Sequence, residues 1–184
     1  MLLFFNAFSS SLLAAIVFAL LVFYIKEKRD PSKNLNGRFY LLTKTKRTSY
    51  KSYKEMWICR EVIISFANKT VVGKSEKIKE FAPNSNENKN KYIKNVFEYK
   101  HHDRVMGTIT GGVERKYLGR SKLYLILTED NPKSRKSSIY IELDLGFAWG
   151  QKKELKGTFE STVAKSSGIA CLQKEEYESC SICY

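Results

Sequence analysis

In the stretch Ser138 to Leu145, Ile139, Ile141, Leu143 and Leu145 alternate strictly with Tyr140, Glu142 and Asp144. Apolar residues at a period of two define a strand with one buried face, and a slip of one residue would turn the whole apolar set to solvent. The same pattern recurs along the chain. Arg38 to Lys46 and Met56 to Phe66 read as strands rich in aromatic and β-branched residues. Ala67-Asn68-Lys69 is a turn, after which Thr70 to about Phe81 resumes the extended pattern. Ala82 to Lys91, polar and Asn-rich, reads as a loop. Tyr92 to His101, Val105 to Val113, Tyr117 to Thr128, Leu155 to Val163 and Ser167 to Gln173 complete the set, with Glu129-Asp130-Asn131-Pro132 as a turn. About nine short strands separated by turns imply a sandwich or an up-and-down barrel. The expected fold is all-β: a small antiparallel, up-and-down, lipocalin-like barrel of about 8–9 strands. Gly37, Gly107, Gly119, Gly157 and Gly168 precede apolar strands and suit tight crossings and bends, and Gly111-Gly112 suggests a bulge or tight bend.

The first 25 residues obey a different rule. Between Met1 and Ile25 the polar side chains before Tyr24 are Asn6 and Ser9 to Ser11, and the run stops at Lys26, Glu27, Lys28 and Arg29. No Lys or Arg precedes it, and Val22 to Ile25 offer no small-residue cleavage pattern, so a retained anchor is expected rather than a removable signal. The length suits a transmembrane helix. Lys26, Lys28, Arg29, Lys33 and Arg38 follow it closely, which by the positive-inside rule places the remaining chain in the cytoplasm. The expected organisation is a transmembrane helix over 1–25, a linker over 26–36, a barrel over 37–174 and a tail over 175–184.

Every charged side chain lies after Ile25, so the net charge of +13 belongs to the domain behind the anchor. A basic domain beside a bilayer meets anionic lipid heads or a phosphate-bearing ligand. Cys180 and Cys183 form a C-x-x-C pair near the end, with Cys171 upstream and Cys59 distant. Two thiolates at that spacing could clip one zinc ion with Cys171 as a third ligand, and a redox pair of this kind normally opens a helix after a strand; the four read as ordinary thiols rather than a metal or redox site, and no cofactor is expected. No G-x-S-x-G, H-E-x-x-H or G-x-x-x-x-G-K signature is present, and no enzyme activity is expected.

Candidate ligand-binding residues follow from strand parity and charge. Arg60 shares the inward row of Met56, Ile58, Val62, Ile64 and Phe66, so it meets an inward partner such as a glutamate, is turned outward by a local bulge, or serves as an anion receptor at the barrel mouth. Tyr99 shares a parity with His101, Thr108 with Thr110, and Lys122 with Tyr124, while Arg115, Arg120 and Lys122 cluster around Gly119. Aromatic faces stack nucleobases, and hydroxyls with Lys or Arg hold phosphate. His101 and His102, being adjacent, point to opposite faces of a strand and cannot share one ion.

The stretches MGTITGGVERKYLGRSKLYLIL and LKGTFESTVAKSSGIACLQK repeat glycine-led strand starts, apolar alternation and a closing G-I-x-C-L strand. Together with the apolar start, they resemble the SMODS-associated, transmembrane, β-strand-rich effectors of bacterial anti-phage cyclic-oligonucleotide signalling (CBASS). That family usually carries two membrane spans, and one is evident here. The resemblance implies a minimal barrel on the cytoplasmic side of the inner membrane that binds a cyclic dinucleotide. Binding would drive formation of a homo-oligomer and disrupt the bilayer, with no DNA or RNA polymer as partner. The alternative expectation is an anchored lipocalin-like barrel that holds a lipid or other apolar molecule in its interior.

Overall fold

The computed structural model describes residues 2–28, 35–82, 95–116, 119–129, 137–146 and 153–177. Among these residues it shows one α-helix, α1 (Leu2–Lys28), and nine strands: β1 (Gly37–Arg47), β2 (Trp57–Ala67), β3 (Thr70–Ala82), β4 (Asn95–Glu98), β5 (Met106–Glu114), β6 (Ser121–Glu129), β7 (Ser137–Gly146), β8 (Glu154–Ser161) and β9 (Ser166–Gln173). The expected loop over 82–91 and the start of the fourth expected strand lie largely outside the described residues.

Eight strands close on themselves. The order β2-β1-β9-β8-β7-β6-β5-β3 is completed by a β2–β3 pairing, and the paired neighbours are antiparallel. This is an up-and-down barrel, in which closure removes the unpaired edges that make open sheets sticky. β4 is the extra strand. It pairs with Lys79–Ala82 of β3, on the edge that β5 occupies further back, at Thr70–Glu76. Asn68 and Lys69, at φ 51° and 66°, form the two-residue β2–β3 turn, whose left-handed pair matches the twist of the flanking strands.

The alternation in the sequence becomes the barrel interior. Leu41, Val62, Ile64, Val71, Ile109, Leu123, Leu125, Leu127, Ile141, Leu143, Ala170 and Leu172 all point inward and are buried. Their exposed area is close to zero. Glycine enters where strands press together: a Cβ on Gly157 would lie 1.8 Å from the Glu142 carbonyl oxygen, and one on Gly168 1.9 Å from that of Lys44. Of the bulge or tight bend expected at Gly111-Gly112, the bulge is absent, because the β5–β6 ladder stays in register there. Gly111 is needed instead because a Cβ there would meet the Tyr124 carbonyl oxygen at 2.0 Å.

A smaller core sits on the outer wall. Leu42, Cys59, Ile78 and Phe81 face outward from β1, β2 and β3, and Tyr177, just beyond β9, folds over them. A register shift between Cys59 and Arg60 opposite β3 adds one residue to that strand, as a β-bulge does, and Ile78 joins the outer cluster.

Helix α1 is apolar around its circumference, and Leu13, Phe18, Leu20 and Tyr24 are exposed. Among the described residues, no helix is long and apolar enough to cross a membrane. The side chains described in α1 are those of residues 11–25, fewer than the roughly 20 that a span requires.

Candidate functional site

The barrel has two unlike ends. At one, β1 begins, α1 leads in, and the β2–β3, β5–β6 and β7–β8 connections turn. We call this the entry end, and the opposite one the far end. The interior near the entry end is apolar, with Phe39, Ile64, Val71, Leu123 and Leu145. Toward the far end it becomes polar, with Thr43, Thr45, Arg60, Ser75 and Ser137 all buried.

Arg60 is the centre of that polar layer. Its Nε and Nη2 donate to Glu129 Oε1 at 3.2 and 2.5 Å, and Nη1 donates to Thr43 Oγ1 at 3.4 Å. Ser137 Oγ donates to the other carboxylate oxygen, Oε2, at 3.0 Å. Burial pushes the Glu129 carboxyl up, but Arg60, Lys77 and the Ser137 hydroxyl outweigh this and hold it below its ordinary range. Of the three expectations for Arg60, the structure shows the inward glutamate partner. Arg60 has 2 % of its surface exposed.

Above this layer, Lys77 pairs with Glu80 and its ammonium sits 5.3 Å from the Tyr99 ring centre. Tyr99 also meets Phe97 edge-on at 4.8 Å between centroids. Burial, with the Glu80 carboxylate, pushes the Tyr99 phenol well up. Arg104 donates to Glu76 at 3.0 Å. Arg60 and Tyr99 therefore share one end of the barrel. His101 lies in the neighbouring 3-10 turn His101–Asp103, and its side chain is outside the described residues.

The other candidates stand elsewhere. Thr108 is exposed on the outer face of β5. Arg120, Lys122 and Tyr124 lie on the outer wall toward the entry end, each engaged by a carboxylate. Arg120 donates to Asp144 at 2.9 Å, Lys122 pairs with Glu142, and the Tyr124 hydroxyl donates to Glu114 at 2.8 Å. Those hydrogen bonds hold the Glu114 carboxyl below its ordinary range and the Lys122 ammonium above. Arg115 lies beyond the end of β5, half-buried, on the same side. The set forms a paired ionic network, not an open anion site.

A second feature of the far end falls in a segment without strand alternation. The β1–β2 connection places Tyr50 and Tyr53 edge to face, centroids 6.2 Å apart, and both are exposed. Lys46, Arg47, Lys51 and Lys54 lie near them in the chain, and Lys165 lies in the β8–β9 turn next to Ala164; all five are exposed. Hydrogen bonds stitch the two connections together: Ser49 donates from its backbone N at 2.9 Å and from its hydroxyl at 2.7 Å to the Ala164 carbonyl, and Ser166 Oγ donates to Thr48 Oγ1 at 3.0 Å. Ala164 and Lys165 reach this geometry at φ 55° and 44°.

The described cysteines are both free. Burial pushes the Cys59 thiol up to about 12 and Cys171 up to about 11, so both stay protonated and inert near neutrality. Cys180 and Cys183 lie outside the described residues. Among the described residues, no cluster of three or more His, Cys, Asp or Glu is placed to hold a metal.

These features define an antiparallel barrel with an apolar helix leading to one end and a polar, cation-bearing surface on the other. Comparison with family models, curated proteins and solved structures gives no match.

Proposed function

We propose that the chain is a membrane-anchored receptor and effector: α1 crosses the inner membrane, the barrel stands in the cytoplasm, and a cyclic dinucleotide binds at the far end. The observation that carries this reading is the polarity of the molecule. A helix apolar on all sides needs lipid or a protein core around it, and its exposed leucines and phenylalanines are not covered by the barrel. Its backbone extends over 27 residues, roughly 40 Å at 1.5 Å per residue, against a hydrocarbon thickness of roughly 30 Å. Because the chain runs from α1 into the entry end, the far end projects away from the bilayer. A ligand with greater affinity for an assembled state draws the anchored copies together, and clustering of α1 helices then disturbs the bilayer.

The alternative, an apolar molecule held inside the barrel, meets an interior already filled. Leu41, Leu123, Leu127 and Leu143 each have 0 % of their surface exposed, and a bound lipid would have to displace such side chains. The rim and outer wall are the surfaces open to a ligand.

The test is calorimetry and size analysis of the detergent-solubilised full chain against a panel of cyclic dinucleotides. At least one should bind with measurable heat and increase the particle mass. A panel that gives neither heat nor a size change contradicts the reading.

A further inference from the structure

We propose that the tyrosine pair Tyr50–Tyr53, with Lys46, Arg47, Lys51, Lys54 and Lys165, is a binding site for a ligand that carries a nucleobase beside a phosphate. The inference deepens the reading above, and rests on it for the far end facing solvent rather than lipid.

Three independent observations converge on this loop. First, it is built rather than loose. The Tyr53 and Lys54 amides donate to the Tyr50 and Lys51 carbonyls at 3.1 Å each, the Met56 amide donates to Tyr53 at 3.2 Å, and the Glu55 amide donates back to Thr45 of β1 at 2.9 Å. With the Ser49–Ala164 and Thr48–Ser166 bonds, both ends of the segment are pinned to the barrel. Second, the segment spends this order on holding aromatic rings in solvent. Tyr50 is 65 % and Tyr53 39 % exposed. A ring fixed in water is an unused stacking surface, and bases stack on such faces with little regard to identity.

Third, the charge around the pair is unspent. Many cations elsewhere on the barrel meet carboxylates: Arg38 with Glu61, Arg60 with Glu129, Lys79 with Glu176, Arg104 with Glu76, Arg120 with Asp144 and Lys122 with Glu142; Lys69, Lys74, Lys100 and Lys153 are exposed without a carboxylate partner among the described residues, but none of them lies in the segment that carries the tyrosine pair. Around the tyrosines the one acid of the loop, Glu55, is taken by Lys44 at 2.7 Å. The five exposed cations have no carboxylate partner among the described residues. Unpaired ammonium and guanidinium groups beside fixed aromatic faces match a phosphate next to a base. Lipid headgroups offer phosphate but no base, and on the reading above they lie at the other end of the barrel.

Two sources supply this chemistry, a cyclic dinucleotide and a single-stranded oligonucleotide, and the experiment separates them. Fluorescence anisotropy of a labelled cyclic dinucleotide and of a labelled short single strand is measured on the full chain in detergent, for wild type, Tyr50→Ala, Tyr50→Trp and Lys51→Gln/Lys54→Gln. At least one probe should bind the wild type. Tyr50→Ala should weaken that binding about tenfold or more, from the loss of one stacking face. Tyr50→Trp should retain it, and Lys51→Gln/Lys54→Gln should weaken it and flatten its dependence on salt. The thermal midpoint of each variant should stay at the wild-type value, because these side chains project into solvent. Binding of a cyclic dinucleotide that is indifferent to Tyr50→Ala overturns this site while leaving the receptor reading standing. Tyr50-dependent binding of the single strand alone upholds the site and overturns the dinucleotide as its ligand. Binding of neither probe overturns the site.

Discussion

Arg60→Met is expected to unfold the barrel at a far lower denaturant concentration than the wild type. The substitution leaves the Glu129 carboxylate in the barrel with Ser137 as its remaining hydrogen-bond donor. Breaking a buried ion pair from one side costs about 3–5 kcal/mol, a large share of the ~5–15 kcal/mol that holds a domain folded. Glu129→Leu should be comparably harmful, since it strands the guanidinium. The double variant Arg60→Met/Glu129→Leu should recover most of the loss, because removing both charges leaves nothing buried and unpaired. The pair also carries a pH dependence of known sign. Arg60, Lys77 and Ser137 hold the folded-state Glu129 carboxyl below its ordinary range. Its contribution is therefore complete above the unfolded carboxylate value of about 4.3, and is lost as the pH falls through the lower, folded value. Denaturant titrations at neutral and acid pH should show this acid limb shrinking in the double variant. A wild-type midpoint for either single variant would contradict this account of the polar layer.

Gly157→Ala is the second large effect. The added methyl would stand 1.8 Å from the carbonyl oxygen of Glu142 and 2.8 Å from both the Glu142 carbonyl carbon and the Leu143 Cα. These are backbone atoms of β7, fixed by the β7–β8 ladder in which Gly157 faces Leu143. No rotamer change relieves the clash, so the two strands must separate and part of the ladder is lost. A cost of about 3 kcal/mol or more is expected, at the upper end for overpacking. Gly112→Ala is the control. Its methyl would meet only the Lys69 carbonyl oxygen at 3.3 Å, and the variant should stay within about 1 kcal/mol of wild type. Urea unfolding of the two variants in parallel checks the contrast, and equal midpoints would show that the close strand approach is not what glycine serves.

The barrel was readable because its strands bury one face each. Ile139 to Leu145 and Leu123 to Leu127 display their inward rows without any knowledge of neighbours, and the glycines at 157 and 168 mark places where strands touch. What could not be read is which residues meet. Glu129 looked like the first residue of a turn before Pro132, yet it continues the parity of Leu123, Leu125 and Leu127, and extending that row by one step would have found the partner of Arg60. Arg120, Lys122 and Tyr124 suggested an anion site because their carboxylate partners belong to other strands. The β6–β7 register, Lys122 opposite Asp144 and Tyr124 opposite Glu142, is a property of pairing and not of either segment. The Tyr50–Tyr53 loop carries no periodicity of two, so a search by alternation is blind to it. Its cue is compositional: two Ser-Tyr-Lys triplets in succession, from Ser49 to Lys54.

On the proposed reading, the ligand binds at the far rim of the barrel and α1 anchors the chain at the other end. The Tyr50–Lys54 loop, exposed and rich in lysine, is a natural trypsin target and reports where that rim stands. Trypsin applied to cells stripped of their outer envelope should leave the loop intact, and trypsin applied to inverted inner-membrane vesicles should cleave it while α1 stays with the membrane pellet. Cleavage in the intact stripped cells, or release of the whole chain from the membrane by salt alone, would contradict the account.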